Sequence, residues 1–60
     1  MRKYDVTVKE IDKAGTMIFS DVVAVSMIEA KAEVVEFYRN MFDVEESLIE
    51  ATAIKTGEDK

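Results

Sequence analysis

Sixty residues carry thirteen acids, eight bases and no histidine, cysteine, proline or tryptophan. That limits the chain to one small domain and excludes imidazole chemistry, thiolate chemistry, thiolate metal sites and disulfides. A chain of this length buries only about 60% of its unfolded surface, so its core is thin and self-association is a natural supplement.

The first residues, Met-Arg-Lys-Tyr-Asp, lead into alternating polar and apolar positions rather than a secretory apolar run. The longest unbroken apolar stretch, Val22 to Val25, is far short of the ~20 residues of a membrane helix. The expectation is a cytoplasmic protein with no membrane partner. Tyr4, Val6 and Val8 alternate with Asp5, Thr7 and Lys9, the period of a strand with one face buried and one wet. Asp12-Lys13-Ala14-Gly15 then predicts a type I turn closed by a glycine at positive φ, and Thr16 to Val25, rich in β-branched and aromatic residues, returns as the second strand. Ile18, Val22 and Ala24 fall on one face of that strand, with Met17, Phe19, Val23 and Val25 on the other. Either a bulge at Ser20-Asp21 swaps the faces, or the strand is covered on both sides, in which case Met17 and Phe19 form an outer patch that meets a second copy or another protein.

Ser26-Met27-Ile28-Glu29 matches a capping box, so a helix is predicted from Ser26 to about Phe42. Glu29 and Glu33 lie near the positive end of its dipole, and Arg39 nearer the negative end. Asp43 to Ser47 is a connection. Leu48 to Ile54 is a last strand with Ile49, Ala51 and Ala53 on one face, and Thr56 to Lys60 reads as a frayed tail. The fold class is α+β: a ββαβ unit over residues 1–56 with a tail at 57–60. Its three-stranded antiparallel sheet has the order 2-1-3, and one helix packs on one face. The second and third strands are then edges, and the apolar second strand calls for protection by pairing with its own copy in a homodimer.

On the helical wheel, Met27, Ala30, Val34, Phe37, Tyr38, Met41 and Phe42, with Ile28 and Val35, fill one half. Lys31 lies within that half and snorkels outward along its stem. A half-turn of ~180° exceeds the ~100° that one core needs. Either these side chains complete a small core, or part of the group meets another polypeptide, as aromatic residues and methionine often do. Tyr38 is the best single candidate, since its hydroxyl tolerates a wet rim. Glu29, Glu33, Glu36, Asn40 and Asp43 form the opposite stripe. Residues 29 to 50 hold seven acids against two bases, the whole of the net charge of −5. Such a stripe is either an ordinary solvated face or a negative surface for a basic groove, with carboxylates ~5–6 Å apart from turn to turn. Direct binding of nucleic acid is disfavoured, because the only basic cluster, Arg2-Lys3 with Lys9 and Lys13, is diluted by acids.

No enzyme is expected, and no catalytic residue, cofactor or metal site is assigned. Ser20, Ser26 and Ser47 have no histidine to activate them. Asp43, Glu45 and Glu46 lack calcium-loop spacing, and neither Gly15 nor Gly57 belongs to a phosphate-binding motif. The layout around Val23-Ala24-Val25-Ser26-Met27-Ile28-Glu29-Ala30 resembles small phage and mobile-element proteins of the DpnD/PcfM-like kind, which bring no defined activity. Tyr4-Asp5-Val6-Thr7, the acidity and the order of elements resemble the acidic uracil-DNA glycosylase inhibitor of phi29-like Bacillus phages. This chain, however, has Met17-Ile18-Phe19 in place of a tyrosine-rich second strand. That resemblance implies a dimer that blocks the DNA-binding groove of an enzyme. The expected function is a small acidic phage-type protein that docks on a host protein and inhibits it, as a nucleic-acid mimic of a DNA-processing or defence enzyme's ligand. Its contacts would be Glu29, Glu33, Glu36, Tyr38, Met41, Phe42 and Asp43, with Met17, Phe19 and Phe37 at the dimer interface. The alternative is an accessory module acting through self-association.

Overall fold

Tyr4, Val6 and Val8 point to one side of β1 (Arg2–Glu10) and are buried there, as the alternation predicts. The computed structural model describes residues 1–58. After β1 come β2 (Met17–Ala24), α1 (Met27–Phe42), a short 3-10 turn (Glu46–Leu48) and β3 (Ile49–Glu58). The strands form one antiparallel sheet in the order β2-β1-β3, and α1 lies across one face. β1 is hydrogen-bonded on both edges, so its inward side chains hold the centre of the core. Ala24 of β2 and Ala30, Val34 and Tyr38 of α1 complete it, with Phe19, Val22, Val44, Ile49, Ala51 and Ala53 packed around them. Ala30, Val34 and Tyr38 are spaced four residues apart, a single row facing the sheet.

The hairpin turn comes two residues earlier than the sequence suggests, within a longer connection over residues 11–16. The Lys13 amide donates to the Glu10 carbonyl at 3.1 Å, and Gly15 supplies the expected positive φ of 93°, a conformation free of steric cost only for glycine. On β2 the bulge is present. Tyr4 pairs with Val22 and Val6 with Phe19, so Asp5 faces both Ser20 and Asp21, and Asp21 takes a left-handed φ of 57°. One extra residue in a period-two structure exchanges the faces. Met17 and Phe19 face α1 before the bulge, and Val22 and Ala24 face it after. Ile18 and Val23 are left on the open side of the sheet.

Ser26 caps α1 with extended backbone, and its Oγ accepts the Glu29 amide at 3.2 Å, the serine half of the predicted box. Asp43 ends the helix in the left-handed region, its amide donating to the Arg39 carbonyl at 2.8 Å. The expected tail requires a correction. β3 continues through Gly57 and Glu58, which pair with Lys3 and Arg2 across a second irregularity that leaves Thr56 as the extra residue. The Thr56 hydroxyl donates to the Lys3 carbonyl at 3.3 Å. Its hydrogen bond to the Lys55 ammonium, at 2.7 Å, holds the Glu58 carboxyl below the usual carboxylate range, and Arg2 adds to this from 3.8 Å. A composition rich in charge is thus used to pin a strand end. The rest of the expected tail, Asp59 and Lys60, lies outside the described residues.

Candidate protein-binding surface

The row Ala30, Val34, Tyr38 faces the sheet, so the opposite side of α1 carries Glu29, Glu33, Glu36, Asn40 and Asp43. Glu29 is half-buried beside the Ser26 cap, whereas Glu33, Glu36, Asn40 and Asp43 are exposed. Among the described residues none of the acids in this stripe is in an ion pair. Arg39 reaches Glu46 instead, at 3.9 Å. The stripe therefore presents uncompensated negative charge along the helix, with Glu45 beyond its end.

The two flanks of α1 differ. Phe37, 51% exposed, leans toward β2, and its ring meets Phe19 edge-on with centroids 5.8 Å apart. Met41, 52% exposed, follows one turn later, and Met17 is also exposed. On the other flank Phe42, 44% exposed, tilts over Tyr38 at 4.6 Å. Of Phe37, Tyr38, Met41 and Phe42, at the C-terminal end of the apolar half-wheel, three remain about half in solvent. The exception is Tyr38. It is buried, which removes it as a wet-rim contact, and its hydroxyl donates to Glu10 Oε2 at 2.6 Å. Ile28 also departs from the wheel. At 79% exposure it projects from the first turn, beyond the sheet's cover.

Glu10 is the residue that sequence reading missed. It sits at the end of β1, with most of its side chain sheltered, and holds the Tyr38 hydroxyl and, at 3.5 Å, the Lys13 ammonium. Its place before the turn was visible, but its partner lies 28 residues away and no local pattern joins them. The Tyr38–Glu10–Lys13 group borders a concavity of about 200 Å³, with Val8, Gly15 and Met17 also lining it, below the usual ~300 Å³ of a ligand pocket.

Because its proton is shared with a carboxylate, the Tyr38 phenol titrates above its ordinary value, and burial and the Glu10 charge push the same way. A folded value above the unfolded one means the contribution is intact below pH ~10 and is lost as pH rises through the folded value. Tyr38→Phe should lower the urea midpoint at neutral pH, and the gap between variant and wild type should shrink above pH ~10. A gap that stays constant from neutral to strongly alkaline pH would separate the hydroxyl from stability.

Among the described residues no group of three or more acids could hold a metal ion, and no helix is long and apolar enough to cross a membrane. Compared with protein families, with curated proteins and with solved structures, the chain matches none.

Proposed function

We propose that the chain is a non-catalytic cytoplasmic binding protein that docks the outward face of α1 on a basic surface of another protein and blocks it. The observation that carries this reading is the row of Glu33, Glu36 and Asp43, exposed and, among the described residues, without ion pairs, with Met41 exposed on the β2 flank of the same helix. Unpaired charge steers a basic partner and sets orientation, while a half-exposed methionine supplies apolar area that is still undesolvated. Phe42 adds a second apolar anchor from the other flank, and Glu29 extends the stripe toward the N-terminal end of the helix. Tyr38 contributes by fixing the C-terminal half of α1 against β1. Carboxylates repeating from turn to turn suit a groove built for phosphates, and the likeness to an acidic glycosylase inhibitor supports a host DNA-processing or defence enzyme as the target.

The free edge of β2 favours a second reading, an accessory module acting through self-association. A pull-down from host lysate with wild type and a Glu33→Lys/Glu36→Lys variant separates the two. Docking predicts a stoichiometric partner that is held at low salt, released at high salt and lost by the variant, since like charges placed across an interface cost several kcal/mol. The variant's circular dichroism should match wild type, because both positions are exposed. Retention undiminished by the reversal removes the acidic stripe from the mechanism, and recovery of the protein alone favours self-association.

A further inference from the structure

The two edges of the sheet are unlike. β3 carries Glu50, Lys55 and Glu58, the charged dressing that keeps an edge strand from pairing with other chains. β2 carries a single charge, Asp21 at its bulge, and from Ala14 to Ser20 there is not one charged residue. Ile18 stands 62% exposed on its open side, while Met17 and Phe19, with Phe37 above them, form an apolar shoulder on its helix side. The uncharged span is also bounded. Gly15 at φ 93° and Asp21 at φ 57° both turn the backbone out of the extended region, so regular pairing can run only from Thr16 to Ser20.

From this we infer that a second copy of the chain pairs along β2, antiparallel, about a two-fold axis perpendicular to the sheet at Ile18. The inference deepens the self-association reading and is independent of docking by the acidic stripe. Such an axis keeps both helices on one face. Residues directly opposite each other in a sheet share a face, so only registers in which some residue meets its own copy are permitted. Ile18 is the midpoint of the Thr16–Ser20 span. With the axis there, Ile18 meets the partner's Ile18 on the open face and Met17 meets the partner's Phe19 under the helices. Thr16 meets the partner's Ser20. Asp21 falls opposite Gly15 of the partner subunit, so no carboxylates confront each other across the seam.

The sheet becomes six-stranded in the order β3-β1-β2-β2-β1-β3, leaving only the charged β3 edges free. Strands ~4.8 Å apart set the two helices, each centred over its own β1, about 14 Å apart. That is wider than the ~8–10 Å of direct helix packing, and the gap is of a size to take Phe37 from each copy. Met17, Ile18, Phe19 and Phe37 with the strand backbone bury on the order of 500 Å² per copy. The total of roughly 1,000 Å² is the lower bound for a specific interface and fits a dissociation constant in the micromolar range.

The chain has no cysteine, so Ile18→Cys introduces a single thiol. Opposed Cα atoms about 4.5–5.5 Å apart lie within disulfide reach. Under mild oxidation Ile18→Cys should give a covalent dimer at least tenfold faster than Ile54→Cys, which is equally exposed on the same face but belongs to β3. Sedimentation of wild type at high micromolar concentration should give a dimer mass. Ile18→Lys, altering a side chain outside the core, should weaken the dimer at least tenfold with an unchanged circular dichroism spectrum. A wild-type dimer whose Ile18→Cys form cross-links no faster than Ile54→Cys overturns this register and leaves self-association standing. A wild-type monomer at high micromolar concentration overturns both.

Discussion

Val6→Asp is expected to unfold the protein, while Thr7→Asp, one residue along, leaves it folded. Val6 is wholly inaccessible, flanked by strands on both sides and faced by the helix. A carboxylate there has no donor to receive it, and whether it stays charged or takes a proton the cost is several kcal/mol. The entire stability of a 60-residue domain is roughly 3–9 kcal/mol, so the substitution consumes most or all of it. Thr7 points to the face that already accommodates Asp5 and Lys9. Circular dichroism and a urea titration of the two variants make the comparison directly. A folded Val6→Asp protein would mean that β1 is not the centre of the core.

Deleting Asp21 should be almost as damaging, and for a geometric reason. The bulge lets Met17 and Phe19 face α1 from odd positions while Val22 and Ala24 face it from even ones. Without the extra residue, one half of β2 must point the wrong way: either Phe19 leaves Phe37, or Ala24, fully buried, leaves the core. The expected loss is more than half of the total stability, read as a collapse of the urea midpoint. Asp21→Gly keeps the residue count and suits a left-handed φ. It should stay within about 1 kcal/mol of wild type. If the deletion were as stable as Asp21→Gly, the bulge would not be fixing the register.

These contrasts show what the sequence reveals and what it hides. The face switch in β2 was visible because apolar residues change parity around Ser20-Asp21, although parity alone left a doubly covered strand open. Ser26 was legible because a cap is a local device, satisfied within three residues. Tyr38 was not. From the wheel it looked suited to a wet rim, yet its position depends on Glu10, and such pairing is set only when the chain has folded. The reach of β3 was hidden in the same way: Thr56, Gly57 and Glu58 have the composition of a tail, and only the neighbouring Arg2 and Lys3 make them a strand. On the candidate surface, the acidic stripe and exposed Met41 followed from periodicity. The importance of Ile18 needed the bulge to be placed first.

The sheet's middle strand precedes both of its neighbours in the chain and meets the farther one across a long separation, since Arg2 pairs with Glu58 and Glu10 with Ile49. Contacts that span nearly the whole chain are slow to close, because loop entropy must be overcome before any of them is gained. The hairpin and helix can therefore form while one side of the central ribbon is still bare, until β3 docks against it. Loss of β3 would leave a bare edge on the central strand and an aggregation-prone product rather than a smaller folded one.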